Sequence, residues 1–177
     1  MAKVGRRRIL LGVGGALVAA GGALAVVRTR GYELPPERAA SLVALRPWQA
    51  IVVDALAARI AAPDEPGVPT AEEVGVTAFV DGYVAAMAAP LRRDLLRLLG
   101  FIEHVAPLGK GFGARFSRLS PERQDAVLAS LEAHDQGMLR GAFAAVKALV
   151  FMGYYRDPRT WSVLGYTGPL VAGRPPT

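Results

Sequence analysis

Prolines divide this chain into helix-sized pieces. Pro47, Pro63, Pro90, Pro107, Pro121 and Pro158 each stand where an apolar run starts or stops. Proline cannot donate a backbone hydrogen bond and disfavours helix in the residue before it, so each one marks an element boundary. Between them, apolar residues recur at three-and-four spacing. Trp48, Ile51, Val52, Leu56 and Ile60 form one stripe, and Val76, Phe79, Val80, Tyr83, Val84 and Met87 a second. Leu91, Leu95, Leu98, Ile102 and Val105 form a third, Val127, Leu128 and Leu131 a fourth, and Leu139, Ala142, Phe143, Val146, Leu149 and Val150 a fifth. That spacing matches the 3.6-residue turn of an α-helix, and no segment sustains the period-two alternation of a strand. The expected fold is all-α, a compact domain of about five helices with the last one central.

Local signals fix where these helices begin. Pro47 suits a first helical position. Thr70 and Glu73 form a capping box, each side chain reaching the other's backbone amide, so the second helix is expected to start there. Ser120, Pro121 and Glu122 combine a hydroxyl cap, a first-turn proline and an acid near the positive end of the helix dipole. A break is expected around Asp135 to Gly137. The run GKGFGARF, from Gly109 to Phe116, neither follows a strand nor matches a phosphate loop, and is expected to be a flexible connection.

Charge and cysteine content exclude several function classes. The net charge of +6 arises at the N-terminus: six of the 21 basic residues lie in the first thirty positions, which hold none of the 15 acids. The remaining chain is formally neutral, which argues against a basic groove for nucleic acid. With no cysteine, the chain forms no disulfide, iron-sulfur cluster, thiolate zinc site or covalent c-type haem.

The N-terminus reads as a targeting segment. A basic cluster precedes Ile9 to Val27, nineteen uncharged residues rich in Gly and Ala, and Ala23 and Ala25 are spaced like a peptidase recognition site. Arg6, Arg7, Arg8, Ile9 and Leu10 resemble the twin-arginine export signal, although Gly5 and Leu11 stand where that pattern has Ser or Thr and Lys. Residues 1–30 are thus an export signal or a retained membrane anchor, since nineteen residues at ~1.5 Å each approach the ~30 Å hydrocarbon core. The basic end stays in the cytoplasm, which places the domain outside. Residues 31–46 read as a linker with a short helix, and the domain as 47–177.

Polar and aromatic chemistry is concentrated between Gly153 and Leu170, in GYYRDPRTWSVLGYTGPL. The pairs Asp157-Pro158 and Gly168-Pro169 are turn formers, so this stretch is expected to be ordered and non-helical. It is either an aromatic plug closing the domain or a partner surface, for which Tyr and Trp are suited by a large apolar body and a polar tip. Asp64 and Glu65, beside prolines, form an acidic pair suited to solvated turn residues or to acid-base and cation chemistry. His104 and His134 have no metal-ligand spacing between them, and neither the nucleophile-elbow sequence nor the dinucleotide fingerprint is present.

Pro63 to Gly67 after the first helix, together with Gly153-Tyr154-Tyr155, Asp157-Pro158, Trp161 and Gly165-Tyr166-Thr167-Gly168-Pro169, resemble the gluconate 2-dehydrogenase subunit 3 family, from about Pro47 to Leu170. The resemblance implies a small, non-catalytic subunit of a bacterial dehydrogenase complex that oxidises sugars, sugar acids or other alcohols. It implies a catalytic FAD subunit of the glucose-methanol-choline type, often with a multihaem cytochrome c, and no cofactor in this chain. It also implies that the small subunit carries the twin-arginine signal for both.

These readings combine into one expectation. Arg6, Arg7, Ile9 and Leu10 engage the twin-arginine translocase, the complex lies in the periplasm or on the outer face of the membrane, and the chain escorts and stabilises its flavoprotein. Asp64, Glu65, Tyr154, Tyr155, Asp157, Trp161, Tyr166 and Pro169 contact the partner or support that contact. The alternatives are a stand-alone, membrane-anchored structural protein, and an enzyme using Asp64, Glu65 or His104.

Overall fold

The computed structural model describes residues 31–63 and 65–168, and among them there are helices and no strands. The helices are α1 (Pro36–Ser41), α2 (Pro47–Ile60), α3 (Val76–Ala86), α4 (Ala89–His104), α5 (Ala106–Gly109), α6 (Pro121–Glu132) and α7 (Gly137–Tyr155). Two 3₁₀ helices, Phe116–Arg118 and Pro158–Leu164, complete them. The all-α expectation holds. The expected export signal, Arg6, Arg7, Ile9 and Leu10 included, lies outside the described residues, as do Asp64 and Pro169.

Helix α2 is the most enclosed element. Ala50, Val52 and Leu56 have no exposed surface, and it packs against α3, α4, α7 and the first 3₁₀ helix. Expected to be central, α7 shares the core through Phe143, Val146, Leu149, Val150 and Tyr154 but turns its alanines outward. It is 19 residues long and apolar enough to cross a membrane by length and composition, and a third of it is buried within the domain.

The capping box at Thr70 and Glu73 forms, with Glu73 Oε2 accepting from the Thr70 amide at 2.7 Å and Thr70 Oγ1 from the Glu73 amide at 3.3 Å. The helix nevertheless starts later, at Val76. The box opens a single turn that Gly75 closes at φ +71°, with the Gly75 amide donating to Glu72 and the Val76 amide to Ala71. This pairing is the Schellman arrangement, which needs a left-handed residue and therefore favours glycine. Ser120 precedes α6 as expected, but its hydroxyl makes no bond to the helix amides.

Of residues 109–116, expected to be a flexible connection, 109–114 are mostly exposed, but the stretch ends anchored in the core at Arg115 and Phe116. Phe116 has no exposed surface, and its carbonyl accepts from Gln124 Nε2 at 3.1 Å. Buried Glu103 accepts from the Ser117 amide at 3.0 Å and its hydroxyl at 2.6 Å, with Arg115 Nε 3.5 Å away. A buried carboxylate is tolerated only when paired and hydrogen-bonded in this way.

Residues 34–46 are fastened to the domain by two carboxylates. Asp81, on α3 and 3 % exposed, accepts from the amides of Val43, Ala44 and Leu45 at 2.7, 2.9 and 2.7 Å. Asp54, on α2, accepts from Arg38 at 3.0 and 3.1 Å and from the Thr77 hydroxyl at 2.6 Å. The segment ends where Gln49 Oε1 accepts the Arg46 amide at 2.8 Å, and α2 begins.

Candidate partner interface

The C-terminal stretch is more helical than its sequence suggests. Gly153, Tyr154 and Tyr155 complete α7, and Pro158–Leu164 is 3₁₀ helix, so only the turns around Asp157 and after Gly165 are irregular. Asp157 causes the restart: its carboxylate accepts from the Arg159 amide at 2.9 Å, with Pro158 in the first turn. The Arg159 guanidinium adds bonds of 3.0 and 2.7 Å, and this pairing holds the Asp157 carboxyl down at about 2.

Side chains inside the stretch tie off the end of α7. The Trp161 indole donates to the Tyr155 carbonyl at 2.8 Å, and the buried Thr160 hydroxyl donates to the Asp157 carbonyl at 2.8 Å. The Tyr155 carbonyl is one that the end of α7 leaves open, so the indole satisfies it, whereas the Asp157 carbonyl lies past α7 and also accepts the Thr160 amide at 3.0 Å as the next helix starts. Gly165, at φ +61°, closes the 3₁₀ helix with the same pairing as Gly75, the Tyr166 amide donating to Trp161 and the Gly165 amide to Ser162. That turn sets the Tyr166 ring edge-on to Trp161, centroids 5.0 Å apart. The outer side of this braced turn is apolar: Val163, Leu164 and Tyr166 are 37, 58 and 46 % exposed.

The residues expected to serve a partner therefore divide in two. Tyr166 and Glu65 are exposed, and Trp161, Tyr155 and Asp157 are partly so. Tyr154 is core: 2 % exposed, it donates its hydroxyl to the Pro69 carbonyl at 2.9 Å, and burial pushes its phenol pKa up. Its role is support, because that bond joins the tail to the 61–75 loop. Arg156 makes a second tie, over the Phe79 ring at 5.4 Å and to the Val74 carbonyl at 3.4 Å. Glu73 in the loop is held below its ordinary carboxyl range, chiefly by its bonds to Thr70 and to a smaller degree by the charge of Arg159. The Glu65 loop and the aromatic tail are thus two parts of one braced surface.

The remaining candidates for chemistry are engaged in structure. A cleft of about 500 Å³ between α2 and the 61–75 loop includes Asp54, Thr70, Glu72 and Thr77 among mostly alanine walls, but Asp54 is held by Arg38 and Thr77. His104 packs against Trp48 with ring centroids 5.8 Å apart, and His134 Nδ1 accepts the Gln136 amide at 3.2 Å in the turn before α7. Among the described residues, no three His, Cys, Asp or Glu side chains are grouped to hold a metal ion. Sequence reasoning passed over Asp81, although it is the single charged residue in α3. A lone acid in an apolar helix is a signal in itself, since a carboxylate so placed needs a paired, hydrogen-bonded environment.

The family model for gluconate 2-dehydrogenase subunit 3 matches residues 47–168, well over half of the chain. This chain belongs to that family. No curated protein and no solved structure matches it. As a gluconate 2-dehydrogenase subunit 3 protein it is an accessory subunit of a dehydrogenase complex, with a dehydrogenase as partner. The match opens at Pro47, the first residue of α2, and closes at Gly168, beyond Trp161 and Tyr166. It covers the 61–75 loop and the braced tail, while the fastened segment 34–46 precedes it.

Proposed function

We propose that this chain is the non-catalytic small subunit that exports and stabilises an FAD-dependent dehydrogenase of the glucose-methanol-choline type. The observation that carries the reading is the family match over residues 47–168, from α2 to the tail, together with a basic, apolar N-terminus of export type. Arg6, Arg7, Ile9 and Leu10 present the signal to the twin-arginine translocase, a route that carries folded proteins. The catalytic subunit crosses while bound to the helical domain. FAD and the chemistry belong to that partner, with a multihaem cytochrome c as the electron acceptor where one is present.

The braced tail suits such a role. Val163, Leu164 and Tyr166 offer apolar surface whose backbone is already fixed by Trp161, Thr160 and Gly165, so little ordering entropy is lost on binding. Deleting residues 1–30 in the native host tests the export half. The dehydrogenase activity is expected to collect in the cytoplasm, and activity that still reached the periplasm would defeat the proposal.

A further inference from the structure

Helix α4 carries an apolar stripe that the domain does not cover. Its inner part is core, with Leu99 2 % exposed and Ile102 fully buried, but Leu91 is 63 % exposed. Leu91, Leu95 and Leu98 form one wall of an open groove of about 440 Å³, and Tyr83, Met87 and Met152 contribute from α3 and α7. Alanines of α7, among them Ala142 and Ala145, line its other side. Tyr83 is 41 % and Met152 50 % exposed, so large apolar side chains stand open to solvent along the groove. This is a receptacle for a ridge of side chains on another body.

The opposite side of α4 is charged with one sign. A second cleft, of about 550 Å³, is lined by Arg46, Arg92, Arg93 and Arg97. The exposed acid nearest them in sequence is Asp94, which lines the groove and lies 3.3 Å from Arg97, and the four arginines still leave an excess of positive charge here. Arg, Met and aromatic residues are the types enriched in protein interfaces, whereas Lys is depleted there, and all four cations here are Arg. We propose that the N-terminal half of α4, with the apolar groove on one side and the arginine cleft on the other, docks the dehydrogenase subunit through an apolar ridge flanked by acidic side chains. This rests on the reading of the chain as a dehydrogenase subunit. Charge complementarity selects that occupant over a second copy, because a two-fold contact through this face would set the arginine clusters against each other. The concave groove likewise suits a protein ridge better than a lipid surface, which takes the convex apolar face of an amphipathic helix.

The test uses the full chain co-expressed and co-purified with its dehydrogenase subunit, that subunit being identified by mass. Leu91→Glu and Met152→Glu alter exposed groove positions, and the double variant R93E/R97E reverses the cleft. All three are expected to weaken the complex about tenfold or more, with the double variant also flattening its salt dependence. Amide exchange in the wild-type complex supplies a readout independent of variant folding: residues 83–98 and 142–152 are expected to be slowed relative to the free chain. Wild-type complex with unslowed exchange in those segments, or variants that bind like wild type, would overturn the docking site and leave the subunit reading intact. Failure of the wild-type chain to bring any dehydrogenase would overturn both. Loss in the variants of self-association by light scattering, or of binding to vesicles of anionic lipid, with the complex unaffected, would reassign the face to a second copy or to a membrane and overturn the proposal.

Discussion

At Gly153 an added methyl would lie 2.9 Å from Phe79 Cδ1 and 3.3 Å from Val76 Cγ1. Exchanging Gly for Ala inside a helix ordinarily stabilises by about 1 kcal/mol. Here the sign reverses, since α7 cannot keep its approach to α3, and G153A is expected to cost roughly 1–3 kcal/mol in denaturant unfolding. Asp157 makes a different kind of prediction. Its carboxyl drops from an ordinary 3.8 to about 2 in the folded chain through its bonds to Arg159. Between those values the unfolded chain binds the extra proton, so the stability this carboxylate supplies is complete above about 4 and lost as pH falls towards 2. D157N is expected to remove that part of the acid limb while the limb from the other carboxylates persists. An acid limb identical to wild type in equilibrium unfolding from pH 5 to 2 would show that the Asp157–Arg159 pairing contributes nothing.

The three amides gathered by Asp81 make residues 34–46 part of the folded unit. D81N keeps the size of the side chain but removes its charge and one acceptor, leaving at least one buried amide poorly satisfied. A destabilisation of about 1–3 kcal/mol is expected, with faster trypsin cleavage after Arg38. Unchanged cleavage would mean that the segment is held by its other contacts. The same elements mark what periodicity discloses. Spacing identified α2, α3, α4, α6 and α7, because an apolar stripe every three to four residues needs no partner to be recognised. It did not disclose what covers each stripe, so the third stripe read as core although its Leu91 end is open. Asp81 escaped for a related reason: its partners are backbone amides 36 to 38 residues earlier, and amides leave no mark in a sequence. The tail was legible as ordered from its Asp-Pro and Gly-Pro pairs. Its 3₁₀ helix was not, since Asp157 can end one helix and cap the next in adjacent residues.

For the molecule as a whole, family membership fixes the setting, a dehydrogenase complex, and the structure supplies the surfaces through which such a subunit can act. Three regions are built for outside contact in different ways. The tail offers a braced apolar turn, the α4 face offers a groove and an arginine cleft, and residues 1–30 are the sequence proposed above as an export signal. Four of the described polar side chains, by contrast, hold the fold: Asp54 and Asp81 fasten residues 34–46, Glu103 the loop at Ser117, and Tyr154 the loop at Pro69. The central claim is that this chain works as the accessory subunit of an exported flavoprotein. Its most direct test is affinity purification of the full chain from its native host under conditions that preserve complexes, followed by an absorbance spectrum and mass identification. A co-purifying dehydrogenase subunit with flavin absorbance is the predicted result, and a lone, colourless chain would contradict the account.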